Sequence, residues 1–255
     1  MKNYGHEYIE YAKEVLGKIQ KTQQDNIHLA AEKIANGVEN GNRIFAFGAS
    51  HAGIVVEELF YRTGGFALIN PIFNPTLMLN TRPVTMTSKA ERLEGFGREI
   101  IRESPLREGD IIIIHSVSGR NSVIVDIALE SRYKKAYVIA ITNMEYSKKV
   151  LSRHSSNKKL FEVANLVIDN CGDFEDASMK LEGFNQKIGP TSTIAGAAIG
   201  NAIVVEASQI LLNKGISPPI FHSANVDGGD EFNKKILEKY RDRIFYIQER
   251  FTSKI

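Results

Sequence analysis

Residues 111–114 are four consecutive isoleucines, set in the run GDIIIIHSVSGRNS at 109–122. A strand presents successive side chains to opposite faces, so an unbroken apolar run is apolar on both. That pattern belongs to a strand covered on two sides, as in a parallel sheet between helical layers. Parallel neighbours need long crossovers, usually helical. The chain around the isoleucines must therefore alternate strand with helix.

The rest of the sequence meets that requirement. RIFAF at 43–47, FALIN at 66–70, IIIIHSV at 111–117, AYVIAITN at 136–143 and NLVIDN at 165–170 read as five strands. Tyr4, Tyr8, Ala12, Val15 and Ile19, then Ile27, Ala31, Ile34 and Val38, recur at spacings of three and four and predict helix over 4–40, stopped by ENGN. A helical pattern through Val55, Leu59 and Phe60 breaks at the TGG of 63–65. Residues 71–88, with Pro71, Pro75 and Pro83, read as irregular. Amphipathic helices are expected over 89–103, 121–132 and 230–251, and a long apolar helix rich in Ala and Gly over 191–213. The expected class is α/β, in three layers, with a parallel five-stranded sheet flanked by helices. With 255 residues, 43% hydrophobic, one domain over 1–255 is expected, its core at about 43–215 and helical extensions at 1–42 and 216–255.

Charge narrows the partners. Thirty-two basic and 30 acidic residues leave +2, which gives no electrostatic reason for nucleic acid or membrane as main partner. Cys171 is the single cysteine, so no intrachain disulfide forms, in keeping with a reducing cytoplasm. No apolar run approaches the ~20 residues of a membrane span, and MKNYGHEYIEYAKEV lacks the apolar centre of a signal peptide. A soluble cytoplasmic protein is the expectation.

The polar turn after the isoleucines raises the functional question. Open parallel sheets bind ligands beyond the C-terminal ends of their strands. Three turns expected there carry hydroxyls: GASHAG with Ser50 and His51, SVSGRNS with Ser116, Ser118, Gly119 and Asn121, and GPTSTIAG with Thr191, Ser192 and Thr193. Each stands near a predicted helix N-terminus, where free N–H groups and the helix dipole favour an anion. Singly, such residues serve as N-caps; three at one edge predict a shared anion site suited to a phosphate monoester. GASHAG has no glycine at 50 and is not a dinucleotide fingerprint, and no G-x-x-x-x-G-K-[ST], C-x-x-C or H-E-x-x-H occurs.

These residues resemble the SIS domain, the sugar isomerase fold that binds phosphosugars. REGDIIIIHSVSGRNSVIVDIALESRYKKAYVIAIT at 107–142 is similar to the family's central block, and RIFAFGAS to its first strand and serine turn, over roughly Arg43 to Leu212. Glu57, Glu58 and Leu59 resemble the EEL of phosphoheptose isomerases. GPTSTIAGAAIGNAIVVEA with PPIFHSANVDGG resembles a less well characterised bacterial SIS subfamily. The resemblance implies a flavodoxin-like sheet, a homodimer or homotetramer with sites at subunit contacts, and phosphate held by Ser50, Ser116, Ser118 and the hydroxyls of 191–193. Asn121 lies where many relatives carry a serine or threonine.

For an aldose–ketose isomerase, a base must take the carbon-bound proton. Glu58 is the candidate by its match to the second glutamate of EEL; an i,i+4 pair with Arg62 is the competing reading. Phosphoheptose isomerases carry a late-helix histidine in a Q-E-x-H pattern, and the helix at 191–213 has none; Glu206 there reads equally as an ion-pair partner. His222, in the loop PPIFHSAN, is the substitute, against a histidine that only ties its loop to the core. His51 reads either as a contact to a ligand or a metal or as a helix-start residue. His115 is expected in the core and His154 in a solvated loop; His6 and His28 carry no motif. Arg120 reads as reaching a phosphate or a sugar carboxylate, or equally as capping the site from solvent or making a subunit contact. No ligand set suggests a metal, and no cofactor is implied. The alternatives to isomerase are a phosphosugar sensor without turnover and a sugar-phosphate lyase or deaminase. Tyr4, Tyr8 and Tyr11, the helix at 191–213, and Phe232, Ile236, Tyr240 and Ile244 are readable either as core or as subunit contact.

Overall fold

In the computed structural model, which describes residues 3–247, five strands form one all-parallel sheet. They are β1 Ile44–Gly48, β2 Ile69–Pro71, β3 Ile111–His115, β4 Tyr137–Thr142 and β5 Leu166–Asp169, in the order β2-β1-β3-β4-β5. The isoleucines fill the central strand. Ile111 and Ile113 enter one apolar cluster, Ile112 and Ile114 the other, and all four are buried. At about 1.5–3 kcal/mol per fully buried aliphatic side chain, this single strand is a large part of what joins the two cores.

Helices α1 (Tyr4–Thr22), α2 (Gln24–Glu39), α3 (His51–Leu59), α9 (Ser192–Asn213) and α10 (Gly229–Lys239) pack on the first face. Helices α4 (Thr85–Ala90), α5 (Phe96–Glu103), α6 (Ser122–Tyr133) and α8 (Leu160–Val163) pack on the second, and α7 (Met144–Lys149) follows β4. The chain leaves β1 for β2 on one side, then returns to β3 on the other side of β1. The direction of winding reverses there, and a crevice opens between the C-terminal ends of β1 and β3.

Several boundaries differ from expectation. The helix expected over 4–40 breaks at Gln23, where Thr22 Oγ1 donates to its own Lys18 carbonyl and Gln23 Oε1 accepts from Asp169 N at 3.0 Å. Side-chain bonds of the first kind bend helices, and the second pins the break to β5. Far from being an appendage, α2 buries Ile27, Ala30, Ala31, Ile34 and Ala35 in the first core. The helix expected over 89–103 is interrupted at 91–95, and part of the segment expected to be irregular is α4. Gly95 takes φ 87° and gives its N–H to Asp126 Oδ2 at 2.6 Å. Gly97 then brings α5 against α6 so closely that a Cβ would lie 2.3 Å from Val123 O.

The C-terminal helix ends at Lys239 rather than continuing to 251, since Ile244 must turn inward to be buried and Asn70 bonds the passing backbone at Arg243 and Phe245. The part of that expected helix beyond 247 lies outside the described residues. Helix α9, against the expectation that no run approaches it, is long and apolar enough to span a membrane by length and composition. Here Ala195, Ile199, Ile203, Ala207 and Leu211 are completely buried in the first core, while Ile194, Val205 and Leu212 are exposed.

Candidate functional site

The turn leaving β1 closes tightly. A Cβ on Gly48 would lie 2.4 Å from Ala52 O, so only glycine fits. Ser50 then takes φ 52°, a left-handed conformation rare outside glycine. Its N–H donates to Leu77 O at 2.8 Å, and its hydroxyl donates to Glu91 Oε1. His51 opens α3 and is exposed.

The turn leaving β3 is propped from beneath. Thr142 Oγ1 donates to Ser116 O at 2.6 Å, and Ser147 Oγ to Ser118 O at 2.9 Å. Gly119, at φ 60°, passes so close to Leu160 that a Cβ would meet it at 3.1 Å. Ser116 Oγ accepts from Gly119 N at 3.3 Å. Among the described residues, nothing accepts from the backbone N–H groups of Ser118, Arg120 or Asn121. Asn121 stands at the N-cap of α6 but does not cap it. Its Nδ2 donates to Glu91 Oε2 at 2.6 Å, and its Oδ1 accepts from Arg153 Nη1 at 2.8 Å. Ser50 and Asn121, expected to share an anion, are thus brought together across the crevice by one carboxylate.

The third turn is different. Thr191 and Ser192 are buried, and Asp176 serves them. Its Oδ1 accepts from Thr191 N at 3.1 Å and Ser192 N at 2.9 Å, and its Oδ2 from Ser192 Oγ at 2.5 Å. An internal carboxylate fills the position that the helix dipole favours for an anion. Thr193 is half-buried one residue further into α9.

Glu58 and His222 are not drawn to these turns. Glu58 pairs with Arg62 and accepts from Asn201 Nδ2 at 3.2 Å, at the seam of α3 and α9. At 1.5 Å per residue it lies roughly 12 Å along the helix from Ser50. His222 lines a separate groove of about 700 Å³ with Tyr61, Arg62 and Lys234. Its ring packs on Phe232 at 4.5 Å between centroids, and Asn233 brackets its backbone through N–H and carbonyl. Glu57, the neighbouring acid on α3, faces a space next to the first turn, between α3 and the 73–80 segment, that none of the 116–122 residues line. With Ser50, Gly53, Ile54, Asn74 and Asn80 it lines a cavity of about 350 Å³ at the end of β1.

The remaining histidines have structural partners. His154, expected in a solvated loop, is buried: Nδ1 accepts from Ser156 N at 3.0 Å, which leaves Nε2–H to donate to the buried Asp126 at 3.2 Å. His115 is in the core as expected, with Nδ1 donating to Ala52 O at 3.1 Å and Nε2 buried without a partner. Burial pushes its pKa down. Glu206 pairs with His28 and raises its pKa. Tyr8 and Tyr11 donate to Pro190 O and Asp173 Oδ2, each at 2.6 Å, and so hold the 173–190 segment to α1. Among the described residues no group of three His, Cys, Asp or Glu side chains is placed to hold a metal.

Glu91 and Asp176 are the acidic groups that sequence reasoning passed over, and Glu57 it named only as a member of the EEL run. Glu91 sits inside SKAERLEGFGRE, whose periodicity reads as uninterrupted helix. Gly95 and Gly97 in that run are the local signal of the break, but nothing in the pattern says that the side chain of Glu91 turns to the crevice.

Comparison with known proteins agrees with this architecture. The SIS domain family model matches residues 7–143, more than half of the chain and including α1 and α2. A UPF0309 protein of Oceanobacillus iheyensis is 50% identical over 244 residues, 96% of this chain and 99% of that protein. Another, from Shouchella clausii, is 44% identical over 96% of this chain and all of that protein. Among solved structures, a phosphoheptose isomerase from Francisella tularensis superposes with TM-score 0.54 at 13% identity, covering 80% of this chain and 96% of that one. One from Neisseria gonorrhoeae gives 0.51 at 14%, covering 81% and 96%. At those identities the likeness is one of fold. The chain belongs to the SIS domain family, and within it to the UPF0309 proteins.

Proposed function

We propose that the crevice between β1 and β3 binds a phosphorylated sugar and that the protein interconverts its aldose and ketose forms. The observation that carries this reading is the turn at 116–122. Its hydroxyls and the unclaimed amides of Ser118, Arg120 and Asn121 gather at the N-terminus of α6, beside Ser50. Neutral donors of this kind hold a phosphate dianion without a lysine. The phosphoheptose isomerases that share the fold act on sugar phosphates, as their names state, and family membership supports the same substrate class here.

Isomerisation moves a proton between C1 and C2 and needs a carboxylate within reach of both carbons. Glu57, projecting into the cavity that Ser50 also lines, is the group we assign to it. Glu58 is the alternative by its match to the phosphoheptose isomerase motif, acting from a position now held by Arg62 and Asn201. Assembly into a homodimer or homotetramer is part of the proposal, supported by the exposed Ile194, Val205 and Leu212 of α9.

A second reading, a sensor that binds without turnover, is favoured by one observation: His222 lies in another groove, so no histidine among the described residues joins Glu57. The test measures melting temperature against a panel of sugar phosphates, then exchange of the C2 proton with deuterated solvent for any ligand that binds. A ligand-induced rise with C2 exchange supports the isomerase. A rise without exchange leaves the sensor. No rise with any sugar phosphate removes both.

A further inference from the structure

The turn that carries the serines also carries Arg120, whose Nε is buried without a hydrogen-bond partner. A second arginine is built against it. Arg153 donates its backbone N–H to Arg120 O at 2.9 Å, receives the Ser122 hydroxyl on its own carbonyl at 2.8 Å, and donates Nη1 to Asn121 Oδ1 at 2.8 Å. Three bonds therefore seat Arg153 over the start of α6. Arg92 follows Glu91 in sequence.

These groups are close enough to feel one another. Partial burial, then the charges of Arg120 and Arg92, push the Arg153 pKa down, and Glu91 pulls it up only as a lesser influence. Glu91 is the acid among them, and its two oxygens already accept from Ser50 and Asn121. The other nearby acids are engaged elsewhere: Glu94 by Ser155 and His154, Asp126 by Gly95, His154 and Arg98. Positive charge is thus left over beside Asn121, whose Nδ2 holds Glu91, and through it Ser50, and whose Oδ1 holds Arg153.

We propose that Arg120 and Arg153 take a carboxylate carried by the ligand, so that the ligand class is a phosphorylated sugar acid rather than a neutral sugar phosphate. The proposal rests on the phosphosugar-binding part of the reading above and not on its isomerase part, since an acid at C1 has no aldehyde to interconvert and would be bound without aldose–ketose turnover. Ser116 and Ser118 serve the phosphate, with Ser50 once its hydroxyl leaves Glu91. The guanidinium forks present the paired, planar donors that fit a carboxylate edge. Along the sheet edge the bonded order Ser50, Glu91, Asn121, Arg153 sets two anion positions apart, as the two ends of one chain of carbons require.

The test uses matched ligands. Pentose, hexose and heptose phosphates are each compared with the aldonic acid phosphate obtained by oxidising C1, and with the unphosphorylated aldonate. Melting temperatures are measured for wild type, Arg120→Gln, Arg120→Lys and Arg153→Gln, with the unliganded values reporting that each variant folds. An acid member that raises the wild-type melting temperature several degrees more than its neutral partner is the expected result. Arg120→Gln and Arg153→Gln should abolish that excess, and Arg120→Lys should keep only part of it. Equal shifts for acid and neutral partners would overturn the proposal and leave the phosphosugar reading standing, as would an excess that survives in Arg120→Gln. Shifts by both aldonates, phosphorylated or not, that depend on Arg120 and never appear with neutral sugar phosphates would keep the carboxylate site and remove the phosphate one. No shift with any ligand removes both.

Discussion

Asp176 and Ser192 meet at the first turn of α9, hydroxyl to carboxylate at 2.5 Å, with the Asp176 backbone held at φ 54° to make the contact. The carboxylate occupies the place that the sequence reserves for a phosphate. Asp176→Ala should cost about 1–2 kcal/mol, as for the loss of a strong helix cap. If the vacated position has the character of an anion site, inorganic phosphate should raise the melting temperature of the variant more than that of wild type. Equal responses would mean that this helix end is only capped.

Ser50 separates stability from binding. Its φ of 52° is one that glycine adopts freely and other residues resist. Ser50→Gly should leave folding unchanged or more stable by roughly 0.5–1 kcal/mol, since the strain relieved offsets the entropy gained by the unfolded chain. Ser50→Ala keeps the strain and should be less stable than Ser50→Gly. Both lose the hydroxyl, so both should lose most of the ligand-induced rise in melting temperature. A full ligand response in either variant would take Ser50 out of the site.

Adjacent glutamates on α3 should behave oppositely. Glu57→Gln keeps the shape of the cavity and removes the proton acceptor, so C2 exchange should fall by about 10²–10⁴-fold while the ligand still stabilises the protein. Glu58→Gln removes a partly exposed ion pair with Arg62, worth about 0–1 kcal/mol, and should leave exchange within a few-fold of wild type. The reverse pattern would return the role to Glu58 and require that Arg62 release it.

What the sequence made legible was whatever a single period of hydrophobicity encodes. Ile111–Ile114 announced a strand covered on both faces, and the two cores divide those residues as the alternation demands. The serine turns were legible because glycine and hydroxyl residues cluster directly after apolar runs. What stayed hidden depended on contacts distant in sequence. Glu91 reaches Ser50 and Asn121 across 41 and 30 residues, and Asp176 reaches Ser192 across 16. No local pattern separates such carboxylates from the solvated acids around them. Gln23 shows the same limit from the other side, since it breaks a helix whose apolar periodicity continues on both sides of it.

His115 supplies a pH dependence of known sign. It lies at the end of β3, and Gly196 of α9 comes so near that a Cβ there would sit 3.0 Å from Nε2. Nδ1–H is used on Ala52 O, so protonating Nε2 would bury an N–H with no acceptor. Burial accordingly lowers the folded-state pKa, with the hydrogen bond to Ala52 and then the charge of Asp176 opposing it more weakly. The unfolded ring titrates near its ordinary value of about 6.5. Between that value and the lower folded one, the unfolded chain holds more protons, so stability rises with pH across the window and falls on acidification. The slope from one such group is at most about 1.4 kcal/mol per pH unit. Urea unfolding of wild type and His115→Leu at a series of pH values between about 5 and 7.5 isolates it. The variant should be less stable near neutrality, having lost the bond to Ala52, yet flatter toward acid. Parallel curves would show that the ring finds an acceptor when it takes up its proton, and that His115 does not set the acid limit of the fold.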